Sequence, residues 1–203
     1  MRPPRLLCVA LALALVSGIG ACSEADGRAL PAPEGGQVST PTSAPVVQPS
    51  AGVLGAFTVE SPAYADGGVI PAEHTCNGAD VSPELSWTGV PTDAVELAIV
   101  MRDRDADGFI HWIVTGIQPY VLGFAAGSLP ENAVEQANSA GRVGWLGPCP
   151  PAGSGTHTYE LIVHALPGVN AIPADATAEE AAGRIESTSV LGAALSGTVT
   201  AGG

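Results

Sequence analysis

Apolar positions along this chain fall in short runs, broken at almost regular intervals by glycine and proline. Phe57-Thr58-Val59-Glu60-Ser61 alternates and reads as a short strand half exposed to solvent. Val95-Glu96-Leu97-Ala98-Ile99-Val100-Met101 is nearly continuous, the pattern of a strand buried on both faces. Ile110 to Ile117 and Thr158 to Leu166 predict two more strands. Turn chemistry separates the runs: Asp66-Gly67-Gly68, Asn77-Gly78, Asp107-Gly108 and Leu166-Pro167-Gly168. One helix is predicted near Thr177 to Ile185. There Thr177 and Glu180 make a capping-box pattern and the early acids complement the helix N-terminus. Val190 to Thr200 forms a final strand or stays loose. Many short strands with little helix predict a mainly β domain of two packed sheets.

The ends differ from this core. Arg2 and Arg5 precede an apolar run from Leu6 to Val16, and small residues follow, as in an export signal over 1–21. Ile19-Gly20-Ala21-Cys22 resembles the bacterial lipobox, in which the cysteine is lipidated and becomes the first residue of the mature protein. A diacylglyceryl anchor has two chains, enough for stable membrane attachment. The alternative is an ordinary signal with a chance cysteine. Residues 22–55 then hold lipidated Cys22 and a Pro/Ala/Ser-rich stretch without apolar periodicity, expected to be a disordered tether. Its r.m.s. reach is about 30–35 Å. The expected location is lipid-anchored on the extracytoplasmic face of a bacterial cell membrane. The folded domain is expected over 56–203.

Charge narrows the partners. The chain has no lysine, and its formal net charge is −13. Such an acidic surface argues against nucleic acid and against docking directly on anionic lipid. Cys76 and Cys149 remain once the signal and the lipidated residue are set aside. In an exported protein they predict a disulfide. Two free thiols are one alternative; a zinc site with His74 and His157 is the other, although neither half has the close spacing of known zinc modules. No cofactor is predicted.

Three blocks carry polar chemistry. The first runs from Gly144 through Pro148, Cys149 and His157 to Tyr159, a rigid loop that delivers a histidine and a tyrosine to a strand end. The second is Arg102-Asp103-Arg104-Asp105-Ala106-Asp107-Gly108-Phe109-Ile110-His111-Trp112. By alternation Asp103 shares a face with Leu97, Ile99 and Met101, while Arg102 points the other way. A carboxylate on an apolar face needs a partner, and His111 is the candidate. Asp103-x-Asp105-x-Asp107-Gly108 matches the first half of an EF-hand loop, but Val114 stands where the closing glutamate belongs, so calcium is the lesser reading. The third block, Ile70 to Trp87, reads as a structured loop running into a strand, with Trp87 in the core. His164 is expected to be solvated or hydrogen-bonded, and Ser154 to be a turn residue.

Together the blocks resemble the phosphatidylethanolamine-binding protein family, in its bacterial Raf-kinase-inhibitor-like branch. Its S-P-x-L-x-W block stands here as Ser82-Pro83-Glu84-Leu85-Ser86-Trp87. Its D-P-D-A-P block followed by H-W stands as Asp103 to Asp107 with His111-Trp112, and its G-P-x-P-P-x-G-x-x-H-R-Y block as Gly147 through Tyr159. The resemblance implies a large central antiparallel sheet, a smaller sheet and one or two short helices near the C-terminus. It also implies a small pocket for phosphoryl or carboxylate groups, lined by Asp103, Asp105, His111, Gly147, Pro148, His157 and Tyr159. On this reading the protein binds a small anionic or zwitterionic ligand, such as a phospholipid headgroup. It is not an enzyme. A protein-interaction or protease/kinase-inhibitor module is the first alternative, with a protein partner. A hydrolase using Asp103, His111 and His157 is the second.

Histidine, tyrosine and loop N–H groups can donate to an oxyanion, and Asp103 is expected to orient His111 and keep it charged. The chain departs from the family pattern at four positions. Arg104 and Asp107 replace prolines, Thr158 replaces the arginine of H-R-Y, and Gly116 stands where asparagine is usual. The lost arginine removes a brace from the loop. Asp107 adds negative charge near the mouth and shifts preference towards zwitterionic or cationic ligands.

Overall fold

In this computed structural model residues 55–202 are described; the expected signal, Cys22 and the tether up to residue 54 lie outside them. The continuous apolar run becomes strand β4 (Glu96–Asp103), flanked by β5 (Ile110–Ile117) and β8 (Thr156–Leu166). They are the centre of a six-stranded sheet in the order β2 (Gly68–Val69), β9 (Leu191–Thr200), β8, β4, β5, β7 (Val134–Glu135). All its pairings are antiparallel except β2 with β9. A second sheet orders β1 (Thr58–Glu60), β3 (Leu85–Thr88) and β6 (Gly123–Phe124). Val190 to Thr200 is thus a strand for most of its length.

The large sheet is covered on both faces, which is why β4 carries so few polar residues. Leu97, Ile99, Met101, Leu161 and Val163 form one core with Val59, Leu85 and Trp87 of the small sheet. Ala98, Val100 and Ile113 face the other way, onto Ala181, Ala182 and Ile185 of helix α1 (Ala178–Thr188). Thr177 caps α1 as its sequence predicts: its hydroxyl accepts from the Glu180 N–H, and the Glu180 carboxylate accepts from the Thr177 N–H. Trp87 is a core residue whose Nε1–H donates to Val121 O at 2.8 Å. Gly116 adopts φ +76°, and a Cβ there would come within 2.8 Å of Asn132 O. Cys76 and Cys149 form a disulfide. That removes both the free-thiol and the zinc alternatives. Among the described residues no group of three or more His, Cys, Asp or Glu could hold a metal ion.

Candidate functional site

Strand register gathers the site. Asp103 pairs directly with Tyr159 across β4 and β8, which places His157, two residues along, on the same face. The His157 Nδ1–H donates to Asp103 Oδ2 at 2.8 Å. Asp103 Oδ1 accepts from the Asp105 N–H at 2.9 Å, and Asp105 Oδ2 accepts from the Thr158 N–H at 2.7 Å. The acidic turn is therefore laced to the start of β8. Asp107 (φ +50°) and Gly108 (φ +73°) make the turn itself, and Asp107 stays exposed.

His111 arrives by a β-bulge. Met101 pairs with Trp112 and Arg102 with Ile110, so β5 has one extra residue between them, His111. A bulge redirects a side chain that strict alternation would send elsewhere. Here the imidazole lies edge-on to the Tyr159 ring, at 5.2 Å and 86°. Tyr159 also lies beside His157, at 6.4 Å with rings 23° apart. The Tyr159 hydroxyl is near Asp103 and the Cys149 backbone, but in neither direction with good hydrogen-bond geometry. Burial first, then the Asp103 and Asp105 charges, push its pKa well above the usual tyrosine value.

The expected partnership of Asp103 with His111 is not what forms. Asp103 bonds His157, and the His111 Nδ1–H donates to Leu146 O at 2.7 Å. Nor does Asp103 keep His111 charged. Burial dominates and lowers its pKa, with His157 adding to that, against the raising effects of Leu146 O, Asp103 and Asp80. The reason is topological: β8, 54 residues away, lies beside β4 and reaches the carboxylate first. Both imidazoles thus donate through Nδ1, and in their neutral forms each turns a lone pair at Nε2 towards any ligand.

The proline-rich loop contributes differently from expectation. The Gly147 N–H is already bonded to Asp80 Oδ1 at 2.7 Å, so it is no free donor for an oxyanion. A Cβ on Gly147 would fall 2.4 Å from that oxygen, so glycine is required at this approach. Pro148 O accepts from the Cys76 N–H at 3.2 Å, parallel to the disulfide. Asp80, at φ +55°, is the residue that sequence reasoning missed. Nothing in its local pattern marks it, since its partner lies 67 positions away. Ser154 closes its own turn, donating to Pro151 O at 2.8 Å.

The calcium reading finds no support here. Asp103 and Asp105 are occupied by backbone N–H groups, while Asp107 lies on the exposed turn. What the cluster offers is a compact set of two imidazoles, a phenol and one buried carboxylate. Asp103, His111, His157 and Tyr159 are 3, 6, 6 and 1 % exposed, so the imidazoles provide most of the access.

The family model described as phosphatidylethanolamine-binding protein matches residues 60–200. The chain belongs to that family. It is 41% identical over 192 residues to LppC of Mycobacterium tuberculosis, whose name includes the word lipoprotein, with 92% of each chain covered. Among solved structures it is similar to CT736 of Chlamydia trachomatis, described as a phosphatidylethanolamine-binding protein homologue. The TM-score there is 0.63 at 31% identity, over 70% of this chain and 96% of that one. It is also similar to YbcL of E. coli, described as a member of the mammalian family, with TM-score 0.66 at 26% identity and the same coverage. The two-sheet architecture, with a helix near the C-terminus, is consistent with these fold neighbours. Among the described residues no helix is long and apolar enough to cross a membrane.

Proposed function

We propose that this protein is a membrane-tethered, extracytoplasmic lipoprotein that binds a small phosphoryl- or carboxylate-bearing ligand at the Asp103, His111, His157 and Tyr159 cluster. The convergence of these four side chains from three strands is the observation that carries the reading. The tether rests on the lipobox at Cys22 and on likeness to LppC along nearly the whole chain.

The tautomers sharpen the binding chemistry. With both Nδ1 atoms donating, neutral Nε2 atoms repel an oxyanion and attract a proton. An oxyanion that carries no O–H binds either after taking up a proton, sharing the new O–H with Nε2, or against an imidazolium. Both routes bring one proton into the complex, whereas inorganic phosphate already carries an O–H that can reach Nε2 without uptake. The Tyr159 hydroxyl is the donor that needs no proton uptake.

Calorimetry with inorganic phosphate and with phosphorylethanolamine, in two buffers of different ionisation enthalpy, tests this. For phosphorylethanolamine, at a pH where its phosphate is a dianion, uptake of about one proton with affinity rising about tenfold per pH unit on acidification is the expected result. His157→Gln abolishes it. Phosphate binding unchanged in His157→Gln, or no binding of either probe, sinks the proposal. Mass spectrometry of the mature N-terminus tests lipidation at Cys22 separately.

A further inference from the structure

Strand β9 is ten residues long, yet its outer edge is covered along only a small part of that length. β2 pairs with it at Gly197 and Thr198, and Gly67 N–H reaches Ser196 O. The Asp66 carboxylate then accepts from Ser196 N–H at 2.8 Å and ends the pairing. Towards the N-terminus of β9, Leu191 to Leu195 continue without a hydrogen-bonded strand on that side among the described residues, although β1 lies close by.

The phase of the ladder says which backbone groups are left over. Ala201 N–H bonds Gly155 O, so in the antiparallel pairing with β8 the odd-numbered residues of β9 exchange hydrogen bonds with β8. Ser196, with both its N–H and C=O bonded outwards, has the opposite parity, and so do Ala194 and Gly192. Their two N–H and two C=O groups therefore point along the open edge. Both residues are exposed, and no described group bonds to them there.

Edges of this kind are normally blunted by lysine, proline, inward charges or a bulge. Leu191-Gly192-Ala193-Ala194-Leu195 has none of these. The opposite edge of the same sheet, by contrast, ends in the two-residue β7. A cleft of about 540 Å³ runs beside the open edge, between it and the segment from Phe57 to Asp66. Its ionisable walls include Glu60 and Asp66, both acidic and exposed, with Tyr64 buried beneath. Burial first, and then the Asp66 charge, push Tyr64 up to about 12, so it adds no negative charge at neutral pH.

We infer that the β9 edge at Gly192 and Ala194 is a docking site for an extended segment of a partner protein that carries lysine or arginine at alternate positions. The segment adds as a strand, four backbone hydrogen bonds fix its register, and its basic side chains lie against Glu60 and Asp66. The acidic walls select this occupant over a second copy of the chain, which would bring the same carboxylates to the interface. The site is independent of the histidine cluster.

The test uses the end-capped heptapeptide Lys-Val-Lys-Val-Lys-Val-Lys, with Glu-Val-Glu-Val-Glu-Val-Glu as its counterpart. Amide exchange is read at Gly192 and Ala194. The basic peptide is expected to slow exchange at both amides at least tenfold at saturation, while the acidic one leaves them unchanged. Ala194→Pro, which deletes one donor, abolishes the protection read at the remaining Gly192 amide, and Glu60→Lys at an exposed position weakens the peptide at least tenfold while leaving the fold intact. Equal protection by both peptides, or none by either, overturns the inference. So does protection that grows with protein concentration alone, which assigns the edge to self-association. A urea unfolding midpoint of Ala194→Pro close to that of the wild type shows that the variant is folded.

Discussion

His157 and His164 stand seven residues apart on one strand, equally buried and on opposite faces. His157 faces the cluster and has the Asp103 carboxylate at 2.8 Å. His164 faces α1, and neither of its ring nitrogens has a partner among the described residues. One imidazole is held in a defined tautomer and orientation; the other is a polar ring in an apolar interface. Burial alone therefore does not tell the two histidines apart. The informative feature is a second buried polar group whose only satisfied state includes the first. The same contrast separates neighbours on β4. Asp103 is enclosed with His157, whereas Arg102 points towards α1 and meets Glu179 at 3.0 Å and Glu186 at 2.9 Å, at a partly exposed seam.

Breaking the enclosed pair should have the largest effect. Asp103→Leu strands the His157 Nδ1–H and the Asp105 N–H together, and is expected to cost about 3–5 kcal/mol in urea unfolding. A loss below 1 kcal/mol would mean that the pair is not a structural unit.

The opposite face should respond in the other direction. His164→Leu removes two unsatisfied nitrogens, and is expected to be neutral or to stabilise by about 1–2 kcal/mol at pH 7. Burial, and to a smaller extent Arg102, lower the pKa of His164 below its usual 6.5, with Glu186 opposing. The unfolded chain then takes up a proton near the usual value while the folded chain does not. Stability is retained above that pH and falls as acid is added below it. His111 is lowered too and contributes with the same sign. Unfolding curves between pH 7 and 5 should flatten in His164→Leu and flatten further with His111→Gln; parallel curves for wild type and double variant would refute this.

Arg102→Met should have the smallest effect. Glu179 and Glu186 are substantially exposed, so solvent and salt screen the ion pairs, and a loss of no more than about 1 kcal/mol is expected. The phosphate affinity of the cluster should be unchanged. A larger loss, sensitive to salt, would show that the seam is less open to solvent than its exposures indicate.

The legible part of this molecule was the part governed by period and local chemistry. The apolar runs of β4, β5 and β8 and the Thr177/Glu180 box announce their elements because each acts over a few residues. The residue types of the cluster stood in two of the three motif blocks. Its wiring was not legible there. Alternation places Asp103 on the right face but cannot say that β8, rather than β5, supplies its partner. His111 sits on a bulge, where alternation fails. Asp80 and Gly147 meet across 67 positions, and neither advertises the other. The pattern Glu160, Ile162, His164 looks like a strand face open to water, because nothing local reveals that a helix near the C-terminus folds over its apolar end.

The Cys76–Cys149 bond joins two loops far apart in the chain, and both cysteines are exposed. Once it is reduced, the same crossing depends on Cys76 N–H to Pro148 O and Gly147 N–H to Asp80. Material made in a thiol-rich cytosol and material made outside it would therefore share every strand, yet differ in how firmly the loop whose Leu146 carbonyl accepts the His111 hydrogen bond is anchored.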